Sequence, residues 1–372
     1  MWFWFPLRAS RLVRLLSLSV LVFSAGCSED SCSTCSGDDV DPADLIDPSS
    51  LGDGSGYPSG SWTRAPTPAS LGWSEARLRD ADLLAASMGS DAYMVVDRGI
   101  LVWDYGLTGK DYVVQSCRKS FLSALYGVYV DRGEIDLSST LEELGIDDLP
   151  PSLTPEERQA TIQELLQARS GVYHEAAAES QSMRDARPER GSHLPGTFWY
   201  YNNWDFNALG TIFSQQTGQD IFEAIHGHFA VPLQMEEFQS SNGFYQYEDV
   251  SLHPAYHFNM SARDMARFGL LFLRNGLWRE DQIVPGPWVE ESTTAYSDSG
   301  STFDYGYMWW VGEPGAWGGH QLYAALGGSG QAIFVVPDME VVITHKVDYN
   351  YWFGGWSGVY DLVRRILGAK VL

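Results

Sequence analysis

The sequence predicts an α+β fold in which an antiparallel sheet is assembled from both ends of the chain, with a helical region inserted between them. A hairpin pattern lies early, at 92–105 (AYMVVDRGILVWDY). Strand patterns return late, at 305–311, 331–336 and 341–347. Between about 135 and 300 the pattern is mostly of short helices and loops. Strands that are distant in sequence must therefore meet in one sheet.

Composition limits the classes of function. The chain has 372 residues, of which 44% are hydrophobic, enough for one large domain or two. Its formal charge of −24, with lysine only at 110, 119, 346 and 370, argues against a nucleic-acid partner, because phosphate binding needs clustered Lys and Arg. No basic patch, RNA motif or zinc-finger spacing is present.

The N-terminus has the pattern of an export signal. Residues 1–26 contain three arginines and no acid, and the apolar run at 15–26 is too short to span a bilayer comfortably. Ser24-Ala25-Gly26-Cys27 resembles a bacterial lipobox, with Ser24 where Leu is usual. We therefore expect an exported lipoprotein of the bacterial cell envelope, held at the membrane only through a lipid on Cys27. Ordinary secretion is the alternative.

A polar segment follows the predicted signal peptide. It is rich in Ser, Asp, Gly and Pro and has no periodicity, which predicts a flexible tether over 27–72 and a folded domain over 73–372. Cys32 and Cys35 form a C-x-x-C pair in the tether. The pair is open to three interpretations: an incidental pair, a local disulfide or a metal site. A structural zinc site would need a second pair, so no metal is predicted.

Helices flank the early hairpin. Residues 71–88 have helical periodicity, and residues 116–131 form an apolar helix that Gly133 is expected to end. A last helix is predicted at 358–367. The predicted helices of the insert include 161–168, 206–217 and 261–274.

The chemistry of interest begins at an S-x-x-K motif. Ser116 and Lys119 are three residues apart at the start of a predicted helix, so both side chains lie on one face. A serine hydroxyl becomes a nucleophile when a neighbouring base takes its proton, and a lysine does so only when it is neutral. The Ser116 backbone N–H, unpaired at a helix start, can bind an oxyanion. The alternative is a solvated helix start, against which the apolar run after Lys119 argues.

Two residues downstream are candidates for the same site. Tyr201 can hold or relay a proton to a leaving group. Asn203 can orient the lysine or bind the carbonyl of a substrate. A core aromatic followed by an Asn cap is the structural alternative.

A glycine-rich run at 323–331 leads into a predicted strand. Small residues allow a substrate to approach strand backbone closely. A second backbone N–H that donates to the oxyanion is expected from the segment Ala325, Leu326 and Gly327. The alternative is a glycine turn into an edge strand.

Together these motifs resemble the serine β-lactamase and penicillin-binding protein superfamily over about residues 73–370. They are most similar to class C β-lactamase-related esterases and amidases, including the 6-aminohexanoate-dimer hydrolase type. The resemblance implies an α/β/α sandwich with a helical subdomain and a cleft between them. It implies that Ser116 is acylated, that Lys119 and Tyr201 share the proton transfers, and that Asn203 supports them. The implied substrate is a small ester or amide, with no cofactor.

One departure from the family pattern bears on substrate. Many members have Lys-Thr-Gly or His-x-Gly where this chain has Ala325-Leu326-Gly327. We therefore expect no cation there for a substrate carboxylate, and small esters to be better substrates than penicillins or cephalosporins. A true β-lactamase or D-Ala-D-Ala carboxypeptidase is the alternative enzyme, and a catalytically silent binding module is the alternative of another class. The sequence does not indicate an oligomeric state.

Three further residues near these motifs are assigned to the core. Cys117 is expected to be a small buried side chain beside the predicted nucleophile. Trp309 and Trp310 are expected to pack in the core and not to form a platform for substrate.

Overall fold

The structure is a computed structural model that describes residues 40–348 and 354–372. The predicted signal peptide, the lipidation site at Cys27 and the Cys32–Cys35 pair lie outside the described residues. Within the described ranges, no helix combines the length and the hydropathy needed to cross a bilayer.

In the described chain, most strands lie near the two ends and a run of helices lies between them. The helices are α1 Glu75–Met88, α2 Arg118–Asp131, α3 Leu141–Leu144, α4 Ile162–Leu166, α5 Gln181–Ala186, α6 Asn203–Thr217, α7 Ile221–Ile225, α8 Ala262–Leu273, α9 Gly286–Ser292 and α10 Gly355–Leu367. The strands are β1 Ala92–Asp97, β2 Ile100–Gly106, β3 Tyr112–Val113, β4 Gly243–Gln246, β5 Ala255–Met260, β6 Leu277–Trp278, β7 Asp281–Gln282, β8 Ser297–Asp298, β9 Phe303–Tyr305, β10 Trp310–Gly312, β11 Leu322–Gly327, β12 Gln331–Val336 and β13 Val341–Lys346.

The main sheet joins the two ends of the chain, as predicted. Its eight strands have the order β2-β1-β13-β12-β11-β10-β9-β8. The N-terminal strand β1 pairs antiparallel with the C-terminal strand β13, with Ala92 opposite Lys346 and Asp97 opposite Val341. All pairs along this sheet are antiparallel.

Alternation along the strands produces two buried faces. Tyr93 and Val95 belong to the core that contains α1 and α10. Their neighbours Met94 and Val96 belong to the core on the other face, which contains α2 and α8. Successive strand residues point to opposite faces, so a strand buried on both sides requires helices on both sides. The predicted α/β/α sandwich is confirmed.

Helix α8 occupies a different place from the one predicted. It was expected within the helical insert at 135–300, but it packs on β12 and β13 of the main sheet. Gly269 lies at this contact, and a Cβ there would be 2.6 Å from Cγ1 of Val342. The amphipathic pattern that predicts this helix does not specify which apolar surface covers its buried face. The insert also includes β4 and β5, which form a three-stranded sheet with β3 in the order β3-β5-β4.

The predicted flexible tether is wrong from residue 40 onward. Leu101 of β2 donates its N–H to Thr63 and accepts from the N–H of Ala65, so the segment pairs along the outer edge of β2. Arg267 of α8 donates to the carbonyl of Gly60 at 2.9 Å. The polar composition hid this structure, because an edge-covering segment is held by backbone hydrogen bonds that need few apolar side chains.

The strand predicted at 305–311 is divided in two. Residues 303–305 and 310–312 form the antiparallel pair β9–β10. Met308 lies between them with φ of 59°, a left-handed conformation that no β-strand adopts. The apolar run therefore folds back on itself instead of continuing.

Candidate active site

Ser116 lies in a 3₁₀ turn, Gln115–Cys117, directly before α2. The preceding residue, Gln115, has φ of 53°, a strained conformation for a residue other than glycine. The backbone N–H of Cys117 donates to Val114, and that of Arg118 donates to Gln115. In the described part of the chain, the Ser116 N–H has no acceptor. The turn therefore presents a hydroxyl and a free backbone donor at the same residue.

Lys119 contacts Ser116 directly. Its Nζ donates to Oγ of Ser116 at 2.7 Å, and the residue is 1% exposed. Burial, with a further contribution from the adjacent Arg118 guanidinium, holds the pKa of Lys119 well below its ordinary value. Nζ lies 5.0 Å from the ring centre of Tyr201 and 4.9 Å from that of Phe206. The amine is thus enclosed by aromatic rings, in surroundings that favour its neutral form.

Tyr201 completes this group. Burial raises the pKa of its hydroxyl to about 12, while a hydrogen bond with Ser116 acts in the opposite direction. Its ring stacks on Trp310 with centroids 5.4 Å apart and an interplanar angle of 25°. Tyr201 therefore retains its proton at neutral pH and is held beside the serine by aromatic packing.

Asn203 is the first residue of α6 and is buried. Its Nδ2 donates to the carbonyl of Ala178 at 2.7 Å, which fixes the orientation of the amide. Its Oδ1 has no partner among the described residues. Because this free atom is an acceptor, Asn203 suits a substrate N–H and not the substrate carbonyl that the sequence suggested.

Ser116, Tyr201 and Asn203 line one cavity of about 390 Å³, and the buried Lys119 contacts Ser116 without lining it. Its walls combine polar groups near Ser116 with apolar and aromatic side chains from the main sheet, the helical insert and α10. The lining residues are Gln115, Ser116, Arg118, Ala178, Ser180, Met183, Tyr201, Asn203, His257, Ser301, Phe303, Trp310, Leu326, Gly327, Gly328, Trp356 and Tyr360. Nowhere in the described ranges do three or more His, Cys, Asp or Glu side chains form a cluster that could hold a metal ion.

Strand β11 packs against the turn that contains Ser116. Leu326 and Gly327 line the cavity, whereas Ala325 is fully buried. Strand β10 pairs with β11 only over 322–324, so among the described residues the β11 edge beyond Ala324 has no strand partner on that side. A Cβ on Gly327 would lie 2.4 Å from the carbonyl oxygen of Val114. The glycine is therefore required by the close approach of β11 to the turn that contains Ser116.

Cys117 is a small buried side chain, as predicted. Its Sγ lies 3.4 Å from the carbonyl oxygen of Ala325 and 3.3 Å from that of Gln331. Burial raises the pKa of its thiol to about 12, so the thiol is protonated and unreactive. It connects the turn that contains Ser116 to β11 and β12.

Three lining residues were missed or misassigned from sequence. Arg118 lines the cavity, so the absence of a cation on β11 does not leave the site without one. His257 of β5 also lines it, and burial lowers the pKa of its imidazole to about 2, which keeps it neutral. Trp310 faces the cavity, while Trp309 is fully buried as expected. The position of Arg118 inside the S-x-x-K motif could have indicated that it lies at the site. No sequence pattern indicated His257.

Known proteins share this arrangement of the chain. The Beta-lactamase family model matches residues 81–352. The 6-aminohexanoate-dimer hydrolase of Paenarthrobacter ureafaciens is 25% identical over 343 residues, covering 79% of this chain and 82% of that protein.

Two solved structures have the same fold. A penicillin-binding protein homologue from Pyrococcus abyssi, described as octameric, superposes with a TM-score of 0.60 at 18% identity, covering 79% of this chain and 77% of that one. A beta-lactamase from Mycobacterium bovis superposes with a TM-score of 0.55 at 17% identity, covering 78% of this chain and 100% of that one. The family match spans most of the described domain, including Ser116, Lys119 and Tyr201. The chain belongs to the beta-lactamase family of serine hydrolases.

Proposed function

We propose that this enzyme hydrolyses a carboxylic ester or amide through an acyl intermediate on Ser116. The observation that carries the proposal is the 2.7 Å contact between Lys119 Nζ and Ser116 Oγ, made by a buried amine whose pKa is lowered. A neutral amine at this distance can accept the hydroxyl proton as the oxygen attacks.

The acylation step follows from the positions of these groups. Lys119 takes the Ser116 proton while Oγ bonds to the substrate carbonyl carbon, and the carbonyl oxygen becomes an oxyanion. The Ser116 N–H and a backbone N–H of Leu326 or Gly327 are the candidate donors to this oxyanion. Collapse of the intermediate breaks the bond to the leaving group, which takes a proton from Tyr201. Tyr201 is then reprotonated from Lys119.

Water completes the cycle. It attacks the acyl-Ser116 carbonyl, giving one proton to Lys119 or Tyr201, and the acid product leaves as Ser116 regains its proton. The free Oδ1 of Asn203 favours substrates that offer an N–H, so we propose that amides are among the compounds cleaved. The dimer-hydrolase name of the Paenarthrobacter relative is consistent with such a substrate.

A fluorophosphonate probe tests the acyl-serine proposal, because it reacts with an activated serine and not with an ordinary one. We expect labelling of the wild-type enzyme at Ser116 and hydrolysis of p-nitrophenyl butyrate. Ser116→Ala should abolish both, with turnover reduced by several orders of magnitude and the circular dichroism spectrum unchanged. Ser123→Ala is the matched control, since Ser123 is buried in the same helix away from the cavity. Substantial turnover by folded Ser116→Ala would refute the assignment, and failure of the wild type to label would favour a catalytically silent binding module.

The alternative of a true β-lactamase or D-Ala-D-Ala carboxypeptidase is favoured by one observation. Arg118 brings a cation to the cavity, which a β-lactam carboxylate requires. Small esters were expected to be better substrates than penicillins and cephalosporins because β11 lacks a cation. Since Arg118 supplies a cation from another element, this reason no longer applies. Comparison of kcat/KM for nitrocefin and p-nitrophenyl butyrate on one preparation decides between the two: faster turnover of nitrocefin would identify a β-lactamase.

We also propose export and lipidation at Cys27, which would place the enzyme at the bacterial cell envelope. Three arginines before a short apolar run and Ser24-Ala25-Gly26 support this proposal. Mass spectrometry of the mature N-terminus should find a lipid-modified Cys27, and Cys27→Ala should remain unprocessed. An unmodified N-terminus at another residue would leave ordinary secretion.

A further inference from the structure

Arg118 is a buried cation without an anionic partner. It is 2% exposed, and no Asp or Glu of the described ranges pairs with it. Its Nη1 donates to the carbonyl of Gln115 at 3.2 Å, and its guanidinium lies 5.2 Å from the ring centre of Tyr256. Its Nε and Nη2 are shielded from solvent and have no partner among the described residues.

The two unpartnered nitrogens share one edge of the guanidinium. Nε and Nη2 form the edge that binds a carboxylate with two parallel hydrogen bonds. A charge buried without a counterion destabilises a folded protein, and buried arginines are therefore normally paired. The contacts with Gln115 and Tyr256 leave this edge unused. Arg118 is thus a cation whose partner is not supplied by the described protein.

The cavity around Arg118 is also selective in charge. The chain has 48 acidic residues against 24 Lys and Arg, yet no Asp or Glu lines the cavity. His257 is neutral, because burial lowers its pKa to about 2. The formal charge of the lining therefore comes from Arg118. Because the guanidinium is little exposed, water screens its charge poorly, and the charge acts on whatever occupies the cavity.

We propose that Arg118 is a specificity-determining residue that selects substrates carrying a carboxylate, so that the natural substrate is an anionic ester or amide. This inference rests on the proposed function, since it concerns the compound attacked by Ser116. It replaces the expectation of neutral esters, which considered only β11.

Matched chromogenic esters test the proposal. One pair is p-nitrophenyl hydrogen adipate and its methyl ester, which differ by the acyl-side carboxylate. The second pair is 4-butyryloxybenzoate and its methyl ester, which differ by the carboxylate on the leaving group. The readout is the ratio of kcat/KM for the anionic member to that for the neutral member. In at least one pair we expect the wild-type ratio to exceed the Arg118→Met ratio by about tenfold or more, the size of a charge-assisted hydrogen bond.

Two variants and one control separate the possible roles of the arginine. Arg118→Met removes the charge, and replacing an unpaired buried charge by an apolar side chain should leave the protein folded. Arg118→Lys should retain part of the anion preference, because it retains the charge. Arg132→Met makes the same charge change at the other end of α2, where the side chain is half exposed, and should leave the ratio unchanged. Thermal melts confirm that each variant is folded.

The outcomes distinguish this inference from the proposed function. Ser116-dependent hydrolysis with equal ratios in wild type and Arg118→Met, for both pairs, would overturn the role of Arg118 and leave the hydrolase intact. An equal loss on anionic and neutral esters, with an acid limb shifted to higher pH, would also overturn it, because Arg118 would then act only through Lys119. No hydrolysis and no fluorophosphonate labelling would instead refute the proposed function.

Discussion

At the scale of single residues, burial sets the protonation states that the proposed chemistry needs. Removal from water disfavours the charged form of any side chain. It therefore lowers the pKa of Lys119 and raises that of Tyr201 to about 12, so a neutral base and a protonated acid lie beside the same hydroxyl. Arg118 adds to the effect on Lys119 through like-charge repulsion. The pair suits the proposed chemistry because both groups are enclosed, not because of any special chemistry in either.

The pH dependence of hydrolysis should follow the protonation of the Lys119 amine. A protonated amine cannot accept the Ser116 proton, so kcat/KM should fall on the acid side as Lys119 becomes charged. Lys119→Arg should lose at least about a thousandfold, because a guanidinium does not deprotonate in proteins. The control is His257→Gln, which should keep the acid limb in place, since the pKa of His257 is about 2. Loss of the limb in His257→Gln would assign it to the histidine instead.

At the scale of elements, the site depends on how closely α2 and β11 approach. The turn before α2 is held to the sheet by the Cys117 thiol, which contacts carbonyls of β11 and β12. On the other side, Gly327 allows the β11 backbone to reach the carbonyl of Val114. Neither element alone forms the site, because the serine belongs to one and the exposed strand edge to the other.

The substitution Gly327→Ala should move β11 and the turn before α2 apart. The added Cβ would lie 2.4 Å from the Val114 carbonyl oxygen, so β11 or the turn must move. A displacement of about 1 Å typically costs about 100-fold in rate, and we expect a loss of that order in kcat/KM with a cooperative thermal melt retained. Gly328→Ala is the matched control, because the nearest atom to its Cβ would be 3.9 Å away. Equal rates for the two variants would show that the close approach does not matter for catalysis.

At the scale of the whole molecule, the acid stability of the sandwich depends on neutral histidines in its interior. His345 of β13 is fully buried, where its Nδ1 donates to the carbonyl of Gly330 at 2.6 Å and its Nε2 accepts from the Ser90 hydroxyl at 2.8 Å. Burial lowers the pKa of His345 to about 4. The unfolded chain therefore takes up a proton at a higher pH than the folded chain does.

The free energy of unfolding should consequently fall as the pH drops from about 6.5 to about 4, since in that window the unfolded state binds more protons. Each buried histidine with a lowered pKa adds up to about 1.4 kcal/mol per pH unit to the slope of the free energy of unfolding against pH. Urea denaturation at several pH values should show a shallower slope for His345→Gln than for the wild type. An unchanged slope in His345→Gln would mean that other groups control the acid transition.

The sequence by itself determined the elements whose signals are local. Strands β1, β2, β12 and β13 and the flanking helices follow from periodicity and turn residues, and the joining of the two chain ends was expected from the order of these elements along the chain. The nearness of Ser116 and Lys119 follows from helical spacing alone, and the structure places them 2.7 Å apart. Tyr201 and Asn203 depend on the resemblance to a family, and the structure brings both to the same cavity.

Only the tertiary structure decided what surrounds the serine and what covers the sheet. Composition wrongly assigned residues 40–72 to a flexible tether, and sequence position wrongly assigned α8 to the helical insert. Neither signal indicates which surface an element packs against. The position of His257 and the partnerless state of Arg118 are likewise properties of contacts between segments distant in sequence. The charge of a site is a sum over such contacts, so a single acidic sequence can enclose a cavity with a positive lining.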